Sequence, residues 1–104
     1  MSDLELLQLA AKAAGYDYKS CRITVDGIPM NWNPLVNDGD AMRLMVDLRL
    51  CTLFPIWNGK NTTCGAGQVG SEHPAWFEPL LEDPRNSMRR AIVLCAAEIG
   101  RRMK

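Results

Sequence analysis

The sequence predicts a mixed α/β fold, a three-layer alpha/beta/alpha sandwich whose helices cover an antiparallel sheet. Asp26-Gly27 lies between two alternating apolar runs, which is the pattern of a β-hairpin. A capping pattern begins a helix near the N-terminus, and Asp83-Pro84 begins another before a long apolar stripe. With a second helix and a second hairpin between them, the order is α-β-β-α-β-β-α. The simplest arrangement is one four-stranded sheet with helices on its faces.

The first helix is predicted over residues 3–14. Ser2 is a suitable N-cap, and Glu5 three residues later completes a capping box. Gly15 stands where a helix commonly ends. The apolar residues at helical spacing are Leu4, Leu7, Ala11 and Ala14.

The first hairpin has a register that can be tested. A two-residue turn at Asp26-Gly27 pairs Val25 with Ile28, Ile23 with Met30 and Cys21 with Trp32. All six side chains then share one face, which a helix must cover because an isolated hairpin is marginal in water. Pro29 lacks a backbone N–H, so either its strand lies at a sheet edge or its nitrogen faces outward.

The second half of the chain predicts two further helices and a hairpin. Asp38 or Asp40 is a good cap for the middle helix, and Gly39 between them is expected to adopt an unusual backbone angle. Residues 52–57 predict a strand, Asn58-Gly59 its turn, and residues 71–82 an irregular connection. The buried stripes are predicted as Ala41, Leu44, Met45 and Leu48 in the middle helix, and Met88, Ala91, Ile92, Cys95 and Ile99 in the last.

Composition predicts one domain over residues 1–104, because its length, 47% hydrophobic and 23% charged content are typical of a globular protein. No apolar run approaches the roughly 20 residues of a membrane span, and the acidic N-terminus does not resemble a signal peptide. We therefore expect a cytoplasmic protein without membrane contact. The four cysteines contain no C-x-x-C pair, and Cys21 and Cys95 lie on predicted apolar faces, which favours buried free thiols.

The glycine-rich segment Gly65–Gly70 matches G-x-G-x-x-G, but it follows polar residues and precedes Pro74. A glycine-bulged edge strand or hairpin is favoured, and nucleotide or metabolite binding at this loop is the alternative function. His73 is the single histidine, and a loop-packing role is favoured over catalysis or metal binding. The sequence therefore predicts no catalytic, metal or cofactor site.

The last helix is basic, because six of the twelve Lys and Arg residues lie in residues 85–104 with Glu98 as the one acid there. Arg85, Arg89 and Arg90 are candidate phosphate contacts. No DNA-binding motif or aromatic platform accompanies them, which favours ordinary solvated arginines over nucleic-acid binding.

Three blocks carry a family resemblance: Trp32-Asn33-Pro34-Leu35-Val36-Asn37-Asp38-Gly39-Asp40-Ala41-Met42-Arg43-Leu44, the end of the middle helix, and Arg89-Arg90-Ala91-Ile92-Val93-Leu94-Cys95-Ala96-Ala97-Glu98-Ile99-Gly100. They resemble the W-N-P-L-x-x-D-G-D-A-x-R-L and R-R-A-I-V-x-A-A-A-E-I-G blocks of the phage ABA-sandwich domain family, small phage and prophage proteins without a known activity. Residues 57–82 match least well. The resemblance implies the sandwich fold and a phage origin, and it transfers no catalytic residue.

Together these observations favour a non-enzymatic phage accessory protein that contacts a host or phage protein in the host cytoplasm. The oligomeric state is open, and a homodimer is compatible with the sequence. The motif Trp32, Asn33, Asp38 and Asp40 has two interpretations. It is either a structural corner that joins the hairpin to the middle helix around a buried Trp32, or a partner-binding patch with an exposed Trp32.

Overall fold

A computed structural model describes residues 2–54, 59, 63–68, 76–79 and 83–103. Within these residues the chain forms three helices and two antiparallel three-stranded sheets, so the predicted mixed α/β class is confirmed. The elements are α1 (Asp3–Ala14), β1 (Asp17–Lys19), β2 (Arg22–Val25), β3 (Ile28–Asn31), α2 (Asp38–Leu48), β4 (Leu50–Leu53), β5 (Thr63–Gln68), β6 (Trp76–Pro79) and α3 (Pro84–Arg102). No helix in the described ranges is long and apolar enough to cross a membrane.

The bounds of α1 are confirmed, and so are its two end signals. The Ser2 hydroxyl accepts a hydrogen bond from the backbone N–H of Glu5 (3.2 Å), and Gly15 is left-handed with φ 77°. The predicted buried stripe needs correction, because Leu4 is 52% exposed. The helix instead buries Leu6, Leu7, Ala10 and Ala11, a stripe rotated toward α3.

The first hairpin has the predicted register. Val25 pairs with Ile28 and Ile23 with Met30, while Asp26 and Gly27 both have positive φ. The N–H of Trp32 donates to the carbonyl of Cys21 (3.1 Å), which closes the hairpin where expected. The strand order β1-β2-β3 puts Pro29 on an edge strand, so the edge interpretation is confirmed.

The strand β1 was not predicted, and it makes this sheet three-stranded. Ser20 and Cys21 form its connection to β2, with φ of 52° and 63°. Neither residue is the Gly, Asn or Asp that normally marks such a turn, which is why the sequence conceals it. The prediction that Cys21 is buried is wrong, since its place in this turn leaves it exposed.

The second sheet differs most from the prediction of one four-stranded sheet. It has the order β4-β5-β6, and it pairs with none of the strands β1–β3 within the described residues. The strand β4 is Leu50–Leu53, so it begins two residues before the predicted range 52–57, and Phe54 is not part of it. Residues 55–57 of that prediction lie outside the described residues. Leu53 pairs with Gly65. Residues 76–79 form the edge strand β6 where an irregular connection was predicted, because Pro79 and the nearby Pro74 obscure a strand pattern. The turn predicted at Asn58-Gly59 lies partly outside the described residues; Gly59 has φ 74°.

The last helix, α3, lies among most of the other elements. Asp83 caps it by accepting from the N–H of Arg85 (3.1 Å), and Pro84 occupies its first turn, as predicted. It packs against α1, α2 and the strands of the second sheet. Val93 and Ala97 are therefore buried outside the predicted stripe. A helix covered on several sides buries more than one face.

The four cysteines are all free, two exposed and two buried. Burial raises the pKa of Cys95 to about 11 and also raises that of Cys64, so both thiols stay protonated near neutral pH. At pH 8 a thiol-specific disulfide reagent should label Cys21 and Cys51 in the native protein, and all four cysteines in urea. Mass spectrometry of labelled peptides reads out the sites. Rapid native labelling of Cys95 would contradict the buried position.

Candidate functional site

The segment from Trp32 to Asp40 is a corner built around a buried indole. Trp32 is 1% exposed and is the largest of the fully buried side chains. Tyr16 and Tyr18 meet its ring edge-to-face, with centroids 5.6 and 5.8 Å away. The hydroxyl of Tyr16 also donates to Asp47 of α2. Burial and this carboxylate raise the pKa of Tyr16, so the donor stays protonated. Trp32 is thus buried, as the corner interpretation predicts, and not exposed, as the partner-binding patch requires.

Polar side chains of the corner hold the start of α2. Asn37 is the N-cap, and its Oδ1 accepts from the N–H of Asp40 (2.9 Å). The prediction that Asp38 or Asp40 caps the helix is therefore wrong. Asp40 instead reaches back, and its Oδ2 accepts from the N–H of Asn33 (2.9 Å). Asn33 in turn accepts from the N–H of Leu35 (3.1 Å), as in an Asx-turn.

Gly39 does not have the unusual backbone angle that was predicted. It lies inside α2 and is not among the described glycines with positive φ. A Cβ at this position would lie 3.2 Å from Oδ1 of Asn37. The glycine therefore leaves room for the capping side chain, a role that depends on space rather than on backbone freedom.

Arg89 joins the corner to α3, so it is not a free phosphate contact. Its side chain is 14% exposed. Its Nε donates to the carbonyl of Leu35 (3.0 Å), and its Nη1 donates to Asp38 (2.5 Å). Two of the three blocks that carry the resemblance therefore meet here, because Asp38 belongs to the first and Arg89 to the last. The guanidinium of Arg89, hydrogen-bonded to the segment before α2 and to Asp38, fixes the angle at which α2 meets α3.

Most other arginines of α3 are also paired with acids. Arg101 and Arg102 both contact Glu98, which lowers the pKa of that carboxyl to about 2. Arg90 lies 4.0 Å from Asp3 of α1. Arg85 is exposed and has no acidic partner among the described residues. The three candidate phosphate contacts thus differ in environment, and the structure does not bring them together as one free cationic surface.

The described part of the glycine-rich segment, residues 65–68, lies in a strand rather than in a loop. Gly65 and Gly67 belong to β5, the central strand of the second sheet. Of the two predicted alternatives, the edge strand is therefore wrong, whereas the antiparallel pairing of β5 with the preceding strand β4 agrees with the hairpin. Gly65 pairs with both Leu53 and Phe77. A phosphate-binding glycine loop opens a helix, whereas these glycines lie within a ladder. Gly70 and His73 lie outside the described residues. No group of three or more His, Cys, Asp or Glu that could hold a metal occurs in the described part.

An apolar groove lies between α2, the end of β4 and the first half of α3. It encloses about 280 Å³. Met42, Met45 and Ile92 line its walls together with Met88, and Phe54 stands at its edge. Met42 is 56% exposed and Phe54 49% exposed, so solvent reaches much of this apolar surface. Sequence reasoning missed the groove, because Met42 and Phe54 belong to no predicted apolar stripe. We call it the methionine groove.

No family model, curated protein or solved structure matches this chain. The resemblance to the phage ABA-sandwich family therefore rests on the three sequence blocks alone.

Proposed function

We propose that this protein is a non-enzymatic phage accessory module that binds a host or phage protein through the methionine groove. The observation that carries the proposal is the grouping of Met42, Met45 and Met88 around an open apolar groove with Phe54 at its edge. Methionine is unbranched and polarizable, so a surface rich in it adapts to apolar partner side chains. Accessible apolar side chains that can be desolvated by a partner are the usual anchors of a protein interface.

The charges around the groove indicate the chemistry of the partner. Asp38 and Arg89 neutralise each other at one side. Arg85 lines the groove without an acidic partner among the described residues, and it lies in the first turn of α3, where the helix dipole is positive. The partner we propose is therefore a short amphipathic helix with apolar anchors and an acidic side chain opposite Arg85. Seating such a helix between two helices is a known mode of recognition.

A displayed random-peptide library tests the groove without a known partner. Selection on the immobilised protein should enrich apolar peptides that carry an acidic residue. For the enriched peptides, Phe54→Asp should raise the Kd by at least about tenfold, because it places a charge against the apolar anchors. Arg85→Glu should weaken binding by a smaller factor that shrinks at high salt. Fluorescence anisotropy of labelled peptides gives both values.

Two exposed apolar residues elsewhere supply matched controls. Leu4→Asp and Ile28→Asp change side chains as exposed as Phe54, but neither residue lines the groove. Both variants should bind the selected peptides as the wild type does. The same four variants then serve as baits in host lysate. A specific partner should be lost with the Phe54→Asp bait, whether or not the Arg85→Glu bait also loses it. Equal loss of binding in Leu4→Asp and Phe54→Asp would refute the groove as the binding surface.

A further inference from the structure

Four strands lie at the edges of the two described sheets, and three of them are protected against pairing with another chain. Charged side chains and prolines are the usual residues that keep an exposed edge from adding a further strand. The protecting residues are Asp17 and Lys19 in β1, Pro29 in β3, and Glu78 and Pro79 in β6. In the part of the chain that the structure describes, only the edge strand β4 has neither a charged residue nor a proline.

The edge strand β4 combines unpaired backbone groups with an apolar surface. Its residues are Leu50-Cys51-Thr52-Leu53, and Phe54 follows directly. Among the described residues it pairs only with β5. In an antiparallel ladder every second residue turns its N–H and C=O away from the neighbouring strand, so the outer backbone groups of β4 lack a partner strand in the described ranges. Cys51, Leu53 and Phe54 are also exposed to solvent.

A second copy of β4 matches this edge. Like charges opposite each other destabilise a ladder, and β4 has none to repel its own copy. A two-fold axis perpendicular to a sheet keeps each side chain on its own face, so one residue must lie opposite itself. When that residue is Thr52, the other opposing residues are all apolar. The pairs are then Thr52 with Thr52, Cys51 with Leu53, and Leu50 with Phe54.

The register centred on Thr52 is favoured over the register centred on Cys51. Centring on Cys51 would place the charged Arg49 opposite Leu53, and it would leave Phe54 outside the paired stretch. Centring on Thr52 pairs residues 50–54 of each copy and leaves Arg49 at the end. It also puts two threonines opposite each other, which is a favourable cross-strand pair.

We infer that the protein forms a two-fold homodimer in which β4 pairs antiparallel with β4 of a second copy. The two three-stranded sheets that contain β4 would then form one sheet of six strands, a common size. A contact of this length is smaller than a standard interface, so the dimer forms only at high protein concentration. The inference is carried by the strand edge and does not depend on partner binding in the methionine groove.

Sedimentation equilibrium measures the association directly. The average mass should rise from near that of one 11.6 kDa chain toward twice that value between about 5 μM and about 500 μM protein. Leu53→Lys puts a charge into the pairing stretch and should stay monomeric with an unchanged melting temperature. Ile28→Lys changes an exposed apolar residue of the edge strand β3 and should associate as the wild type does. A wild type that stays monomeric throughout, or equal association of Leu53→Lys, would overturn the inference.

Disulfide trapping tests the register and does not require β4 to tolerate a charge. Opposing Cα atoms in an antiparallel pair lie about 4.5–5.5 Å apart, within the range that a disulfide spans. In a background with Cys21→Ser and Cys51→Ser, oxidised Thr52→Cys should run as a reducible dimer on a denaturing gel. Thr24→Cys, at an exposed position of the inner strand β2, is the control and should stay monomeric. Equal dimer yields from the two variants would reject the pairing.

The peptide test of the methionine groove stays separate from this one, because Leu53 does not line the groove. The selected peptides should therefore bind Leu53→Lys as they bind the wild type. Loss of association with intact peptide binding in that variant shows that the strand edge, and not the groove, joins the two copies.

Discussion

Replacing Trp32 by alanine should lower the free energy of unfolding by about 3–5 kcal/mol, a large fraction of the stability of a small domain. The ring is fully buried and meets Tyr16 and Tyr18 edge-to-face, so its loss leaves a large cavity beside these two rings. Its indole N–H has no hydrogen-bond partner among the described residues, so we expect the loss to come from packing rather than from a broken hydrogen bond. The corner at residues 32–40 would lose the buried side chain around which it packs.

Urea denaturation followed by circular dichroism measures this change, with the melting temperature as a second readout. Ile28→Ala is the matched control, because Ile28 lies on the same hairpin and is 63% exposed. We expect that variant to stay within about 0.5 kcal/mol of the wild type. A melting temperature of Trp32→Ala equal to that of the wild type would contradict the corner.

Gly100→Ala should destabilise the protein by about 1–3 kcal/mol, although alanine is the better helix former by about 1 kcal/mol. A Cβ at this position would lie 1.9 Å from the carbonyl oxygen of Leu9. That contact is with backbone, which cannot rotate away as a side chain can. The helices α1 and α3 would have to separate, and the buried small residues Ala10, Ala11 and Ala96 would lose packing.

The matched control is Gly39→Ala, which changes another glycine inside a helix. Its Cβ would lie 3.2 Å from the side chain of Asn37, a neighbour that can shift. The change in the free energy of unfolding should be about 1 kcal/mol or less. Comparing urea midpoints of the two variants isolates the backbone clash. If Gly100→Ala were as stable as the wild type or more so, the close contact of α1 with α3 would be refuted.

The candidate sites could be predicted from the sequence only in part. The Trp32–Asp40 motif stood out because its residues are unusually polar for a connection between a hairpin and a helix. The order of residues did not show which of these polar side chains caps α2 and which ones bind elsewhere. Asn37, Asp38 and Asp40 are all suitable caps by type. The choice among them depends on where Asn33 and Arg89 lie, and Arg89 is far away in the sequence.

The methionine groove could not be predicted from sequence patterns, for a similar reason. Met42 lies on the half of α2 that a helical pattern assigns to solvent, and Phe54 follows a strand whose bounds the pattern misplaced. The groove exists because α2, β4 and α3 come together around a shared space. A pattern within one element gives the direction of its buried face, but it cannot give the shape of the gap between elements.

Features that depend on a few neighbouring residues follow from the sequence alone. The bounds of α1, the turn at Asp26-Gly27 with its register, and the start of α3 at Asp83-Pro84 all follow from local backbone preferences and capping bonds. These interactions span only a few positions, so the order of residues contains all the information they need.

The grouping of the strands and the contacts of the charged residues depend on the tertiary structure. Edge strands such as β1 and β6 gain their stability from pairing with a partner strand, so their own residues need not show a clear alternating pattern. Arg89 is a solvated arginine by pattern, but it becomes a link to Leu35 and Asp38 once α3 lies beside the corner. The physical reason is the same in both cases. The stabilising contact is made with a residue that is distant in the chain, and only folding brings the two together.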